Sequence, residues 1–197
     1  MEIKTTTAEA LLGMLSLCPM TGYELRQRIE GSIGNFWSES YGQIYPTLKR
    51  LEQEGFVSVA EGERAGSKVY ALTASGHERL RAWLGVMPRP QVERNELLLK
   101  LFFGNLQPVE QVREQVAERR RVEFADLARY EAIEREISRV HANDAALPFW
   151  LITVRYGMAQ TKSLIGWCEE TLAVLDGLAG QQGSAGQGVE TEFAEVV

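Results

Sequence analysis

The chain has 197 residues, of which 45% are hydrophobic and 24% charged, with a formal net charge of −6 and 2 cysteines. That composition excludes a low-complexity disordered chain and a disulfide-knit secreted scaffold, and it predicts a packed core in one or two small domains. The N-terminal apolar run is too short to span a bilayer and is flanked by Glu2 and Glu9 without a small-residue cleavage site, so a cytoplasmic protein is expected. An acidic balance counts against nucleic-acid binding unless the charges are unevenly placed.

Thr6 and Glu9 have capping-box spacing and open a first helix, with an apolar stripe at Ala10, Leu11, Met14, Leu15 and Leu17; Pro19 ends it. Cys18 and Cys168 lie in apolar segments and are expected to be buried thiols. Thr21 and Glu24 repeat the capping box and start a short helix with Tyr23, Leu25 and Ile29, broken by Gly31 and Gly34. Phe36 and Trp37 are expected to plug the core in the connection that follows.

The third helix lies within SESYGQIYPTLKRLEQEGFVSV, residues 38–59, with Ser40 as N-cap and Gly55 as the stop. An interior Pro46 with Gly42 four residues upstream is costly for a helix, by roughly 3 kcal/mol for the proline alone. Helical geometry assigns Ile44, Leu48 and Leu51 to one narrow arc and Gly42, Pro46, Lys49 and Arg50 to the other, with Gln43 at its edge. The outer face is therefore slim, as suits a helix entering a major groove roughly 12 Å wide. Gln43 can offer a bidentate amide to adenine, Lys49 and Arg50 can reach phosphate or guanine, and Tyr45 can give its hydroxyl to a phosphate. A second reading starts the helix near Tyr45, with Pro46 at its tolerant first position.

FVSV and KVYAL, joined by AEGERAGS, predict a two-stranded hairpin whose turn is bracketed by Arg64 and Lys68, and Thr73 caps a fourth helix. This order is that of a winged helix-turn-helix over residues 1–86. GVMPRP reads as the linker. A helical second domain is expected over 91–179: a helix in QVERNELLLKLFFG, then one from Pro108 to about His141, on the order of 50 Å long. Its apolar positions include Val109, Val112, Val116, Phe124, Tyr130 and Val140. A final long apolar helix follows HANDAALP, and residues 180–197 are expected to be a disordered tail. The fold class is mainly α.

Charge is indeed uneven. Residues 1–85 hold 9 Lys+Arg against 10 Asp+Glu, whereas the remainder holds 12 against 17. With few cations per subunit, two copies on one duplex are expected, because each phosphate neutralised contributes a salt-dependence slope of only about −0.9.

MTGYELRQRI, SYGQIYPTLKRLEQEGFV and KVYALTASGHERL resemble the winged helix-turn-helix of PadR-type transcriptional regulators, and NELLLKLFFG and YGMAQTKSLIGWCEE resemble the subgroup with a virulence-activator-like helical C-terminal domain. The resemblance implies a homodimer, built largely by the C-terminal helices, that binds a palindromic double-stranded operator and usually represses. In phenolic-acid-responsive members a hydroxycinnamic acid releases the protein from DNA. The family pattern maps the recognition helix onto Ser40 to Glu54 and the wing onto Glu61 to Lys68. The candidate DNA-facing set is Tyr23, Ser40, Gln43, Tyr45, Lys49, Arg50, Arg64 and Lys68. One departure is the wing, which is acidic at Glu61 and Glu63.

The C-terminal half is aromatic, which suits helix packing and a dimer interface, with Leu164, Trp167, Leu172 and Leu175 as candidate dimer contacts. The other use is an apolar cavity for a small aromatic effector, with Trp150 in its wall and Arg139 or Arg155 pairing a carboxylate. No nucleophile motif, phosphate loop or Cys/His cluster is present, so neither an enzyme, a cofactor nor a metal is predicted. Two other functions stay open: an effector-independent regulator, and a protein-interaction scaffold controlled by a partner protein.

Overall fold

The computed structural model describes residues 5–34, 36–37, 41–64, 66–88 and 94–182. The chain divides into two compact units, Met1–Gln91 and Val92–Val197. The tail expected over 180–197 begins later, since residues 180–182 still belong to a helix; its remainder and the N-cap at Ser40 lie outside the described residues.

The first unit contains α1 (Thr5–Leu15), β1 (Met20–Thr21), α2 (Gly22–Ser32), α3 (Tyr41–Gln53), β2 (Val57–Glu61), β3 (Lys68–Leu72) and α4 (Ala74–Leu84). Its sheet has the order β1-β3-β2, antiparallel throughout, with Met20 opposite Tyr70 and Val59 opposite Tyr70 on the other side. The hairpin was expected, but the third strand was not. Two residues carry no periodicity, so β1 exists only because β3 offers it a free edge. Thr21 serves β1 and α2 together: its hydroxyl accepts from Glu24 N at 3.2 Å, and its own N–H donates to Glu24 Oε2 at 2.7 Å. This closes the expected capping box.

Leu11, Leu12, Leu25, Leu48 and Leu51 are fully buried in one core with Ile44, Val57, Tyr70 and Leu80. Each such side chain contributes roughly 1.5–3 kcal/mol by leaving water. Three expectations fail at the rim of this core. Leu17 falls past the end of α1 and is 49% exposed, Phe36 is 55% exposed, and Cys18 is exposed while Cys168 is buried. Glu9 does not cap α1. It is 5% exposed and pairs with Arg79 on α4 at 2.8 Å. Helix α3 ends in a Schellman motif: Gly55 N–H donates to Glu52 O and Phe56 N–H to Leu51 O. The motif needs a left-handed residue, and Gly55 has φ of +77°.

The second unit contains α5 (Glu96–Phe102), a 3-10 turn (Gly104–Leu106), α6 (Val109–Val140) and α7 (Leu147–Gln182). Helix α5 is shorter than expected because Asn95 caps it, its side chain accepting from Leu98 N at 3.1 Å. Helices α6 and α7 form an antiparallel pair. Val109, Val112 and Val116 pack on Cys168, Leu172 and Leu175 at one end. Further along, the Tyr130 ring fills the space beside Gly157, where a Cβ would stand 2.6 Å from it. The small residue there serves packing within the chain.

The α6 seam slips by one position from the apolar pattern. Glu123 is buried, and Phe124 beside it is 49% exposed. Glu123 stands one heptad after Val116, so it falls on the seam whatever its polarity. Its buried carboxylate is paired with Arg119 one turn earlier. Val140 was also expected on the packed face and is exposed.

Candidate nucleic-acid interface

Helix α3 is continuous from Tyr41 to Gln53 with Pro46 inside it. The reading that starts the helix near Tyr45 is therefore not the one realised. The hydrogen bond that proline deletes is the one to the carbonyl of Gly42, so the crowded carbonyl belongs to the most permissive residue available. Ile44, Leu48 and Leu51 face the core at 3%, 0% and 0% exposure, joined by Thr47, which the apolar pattern did not mark. Gly42, Gln43, Tyr45, Pro46 and Lys49 are exposed on the outer face.

Tyr45 is anchored although 58% exposed. Its ring lies on Gly22 at the start of α2, where a Cβ would stand 2.6 Å from Cε1. Gly22 is the site residue that sequence reasoning passed over, and only the packing of α3 on α2 reveals it. Tyr23 is exposed on the next position of α2, its hydroxyl accepting from Gln27 Nε2 at 3.0 Å.

The cations differ in availability. Lys49, Arg64 and Lys68 are exposed and make no ion pair with any described residue. Lys68 stands opposite Glu61 at the turn end of the hairpin. Arg64, in the turn, helps to hold the Glu24 carboxyl below its ordinary range; the larger causes are the Thr21 N–H and hydroxyl. Arg50 departs from the expectation of a free outer cation. Its side chain is 29% exposed, its Nε is buried without a hydrogen-bond partner, and it stands 3.7 Å from Glu54.

The second unit rearranges the remaining candidates. Leu172 and Leu175 are spent on the intrachain core, so they offer no free surface for a second copy. Trp167 packs at the edge of that core, and Leu164 is half-buried. At roughly 100° per residue, Phe149, Ile152, Tyr156, Val174 and Leu178 share one face of α7, and all are exposed. Trp167, five full turns on from Phe149, falls on that same face and is half-buried. Each effector candidate already has a partner within the chain. Arg139 pairs with Glu136 at 2.8 Å, Arg155 with Glu134 at 2.7 Å, and Trp150 stacks edge-on against His141 at 5.2 Å. A separate open cleft of about 450 Å³ is lined by Leu99, Lys100, Phe103, Leu106, Gln107 and Gln115, none of them among the candidates. Among the described residues there is no cluster fit to hold a metal ion, and no helix is long and apolar enough to cross a membrane.

A helix-turn-helix with a slim, partly cationic second helix, flanked by a β-hairpin wing, defines a winged-helix transcriptional regulator. Residues 11–82 match the PadR-like family of transcriptional regulators, and residues 93–176 match the virulence activator alpha C-terminal family. The chain thus joins a PadR-like transcriptional-regulator domain to a virulence-activator-type helical C-terminal domain.

Among its relatives, the negative transcriptional regulator PadR of Bacillus subtilis is 28% identical over 175 residues, spanning 85% of this chain and 96% of that one. The crystal structure of B. subtilis PadR in complex with operator DNA superposes with a TM-score of 0.75 at 25% identity, covering 86% of this chain and 99% of that one. The complex of the same protein with p-coumaric acid gives 0.70 at 27% identity, covering 85% and 97%. The Vibrio cholerae virulence activator AphA gives 0.71 at 28% identity, covering 87% and 99%.

Proposed function

We propose that this protein is a homodimeric repressor that binds a palindromic operator through the outer face of α3 and is released by a small carboxylated aromatic effector. The observation that carries the DNA-binding part is the two-sided α3. A locked inner seam supports an outer face of Gly42, Gln43, Pro46 and Lys49 that is exposed among the described residues of the first unit, with Tyr45 braced on Gly22. The operator complex of a relative supports the same reading. Dimerisation through α7 is supported by two exposed apolar stretches on one face, Phe149, Ile152 and Tyr156 towards its start and Val174 and Leu178 towards its end. The p-coumaric acid complex of the B. subtilis relative supports an aromatic effector. In this chain the cleft beside α5 offers apolar walls, and its Lys100 is paired with Glu96 at 2.7 Å, as Arg139 and Arg155 are with Glu136 and Glu134.

Fluorescence anisotropy on the protein's own promoter, repeated across a salt series, tests this function. Lys49→Ala is expected to weaken binding and reduce the slope of log K against log[salt] by about 0.9 per subunit, with the dimer intact. Binding that ignores salt would instead favour the protein-interaction scaffold. Quenching of the intrinsic tryptophans by p-coumarate, with loss of the DNA complex, tests the effector; its absence leaves an effector-independent regulator.

A further inference from the structure

We propose that Glu54 and Arg79 form a positioning pair that limits how much of Arg50 is available to DNA; this rests on the DNA-binding reading of α3. Glu54, in the turn that ends α3, is shared by two arginines. Arg79 Nη1 donates to Glu54 Oε2 at 3.1 Å, a hydrogen-bonded pair. Arg50 Nε lies 3.7 Å from Glu54 Oε1, too far for a hydrogen bond, and is buried with no other partner. Arg79 does not swing freely. Its Nε and Nη2 donate to Glu9 Oε1 at 3.2 and 2.8 Å, and its guanidinium lies 4.6 Å over the Phe56 ring. Glu9 is buried on α1, so Arg79 is fixed from the core side, and it fixes Glu54 in turn.

Arg50 is consequently held without being satisfied. The carboxylate is near enough to offset its charge and to restrain the guanidinium close to the end of α3. It is not near enough to complete the pair, so Arg50 can exchange it for a phosphate at little loss. An uncompensated Arg50 would attract any duplex, because phosphate contacts carry no sequence information. A half-compensated one contributes little to non-specific binding and is recruited only when the rest of α3 is seated. Glu54 thereby sharpens discrimination at the expense of raw affinity, although it is not itself suited to meet DNA.

The test is Glu54→Gln in the full chain, measured on operator and scrambled duplex over a salt series. Removing the carboxylate is expected to add about 0.9 per subunit to the magnitude of the salt slope for the scrambled duplex, with little change for the operator, where Arg50 is already recruited, and to tighten scrambled-duplex binding roughly 8-fold per subunit at 0.1 M salt. The operator-to-scrambled affinity ratio should fall. The same substitution in an Arg50→Ala background is expected to change neither slope nor ratio. This separates release of Arg50 from the mere loss of a negative charge or a change in stability. Glu54 is 40% exposed at its side chain, and a melting curve for each variant confirms that the fold is kept. An unchanged scrambled-duplex slope in Glu54→Gln, or an equal change with and without Arg50, overturns the inference and leaves DNA binding standing. A wild-type chain with no salt-dependent binding overturns the DNA-binding reading and this inference with it.

Discussion

Replacing Arg79 by Met should unfold the winged-helix unit far more readily than its position on α4 suggests. The substitution keeps the aliphatic stem but removes both hydrogen bonds to Glu9, at 2.8 and 3.2 Å, and the one to Glu54 at 3.1 Å. Glu54 is 40% exposed, so its share is at most about 1 kcal/mol. Glu9 is the costly partner. It is 5% exposed and its Oε2 already lacks a hydrogen-bond partner, so without Arg79 a buried carboxylate stands uncompensated. Stranding such a charge costs about 3–5 kcal/mol, and we take about 3 because Arg79 itself is a quarter exposed. For a unit of this size that corresponds to a fall in Tm of roughly 15 °C. The assay is urea denaturation of the full chain followed by circular dichroism, on Arg79→Met and on Arg79→Met with Glu9→Leu. The double variant should recover most of the loss, since an apolar pair tolerates burial where a lone carboxylate does not. A single-variant loss below about 1 kcal/mol, or a double variant no more stable than the single one, would refute a buried charge held by this one cation.

Gly22→Ala places a methyl group 2.6 Å from the Tyr45 ring and should displace it, weakening operator binding, with a stability cost of about 1–3 kcal/mol from overpacking; anisotropy and a urea melt read the two effects separately. Leu172→Ala should destabilise the helical unit by about 2–5 kcal/mol in denaturation experiments. Val174→Asp, on the exposed face of the same helix, should instead shift a dimer to a monomer in sedimentation with little change in unfolding. The Glu24 carboxyl is held below its ordinary value of 4.5, chiefly by the Thr21 N–H. Its contribution to the α2 cap is therefore present above that value and lost as pH falls through the lower, folded-state value. Amide exchange at Thr21, corrected for the intrinsic rate, should lose protection in that acid window, and Glu24→Gln should abolish the pH dependence.

Much of the first unit was legible because its signals are local. The capping box at Thr21 and Glu24, the Thr73 cap on α4 and the Gly55 stop all join groups within five residues of each other. The inner seam of α3 was legible for a related reason: Ile44, Leu48 and Leu51 repeat at helical spacing, and one face of a short amphipathic helix has only one core to meet. The outer face followed by subtraction, but the state of its cations did not. Arg50 and Lys49 are adjacent in the chain and alike in charge, and only Arg50 has Glu54 one turn away.

The second unit was less legible because its helices are long and apolar on more than one side. Periodicity marks the apolar faces of α7 but does not say which of them α6 covers. Leu172 and Leu175 turned out to lie on the covered face, and Val174 and Leu178 on the open one. On α6 a heptad count would have found the seam at Glu123, whereas hydrophobicity alone pointed to Phe124.

The amino-acid order by itself determined the strands of the hairpin, the Thr21 and Thr73 caps, the Gly55 stop and the inward side of α3, since these depend on backbone hydrogen bonds and side-chain spacing within a turn or two. Tertiary structure alone decided that Met20 and Thr21 become a strand, that Glu9 meets an arginine 70 residues away, that Tyr45 rests on Gly22, and that Cys18 and Phe36 stay in water. Each of those outcomes depends on which surface arrives opposite a residue, and close packing sets that for the whole unit at once.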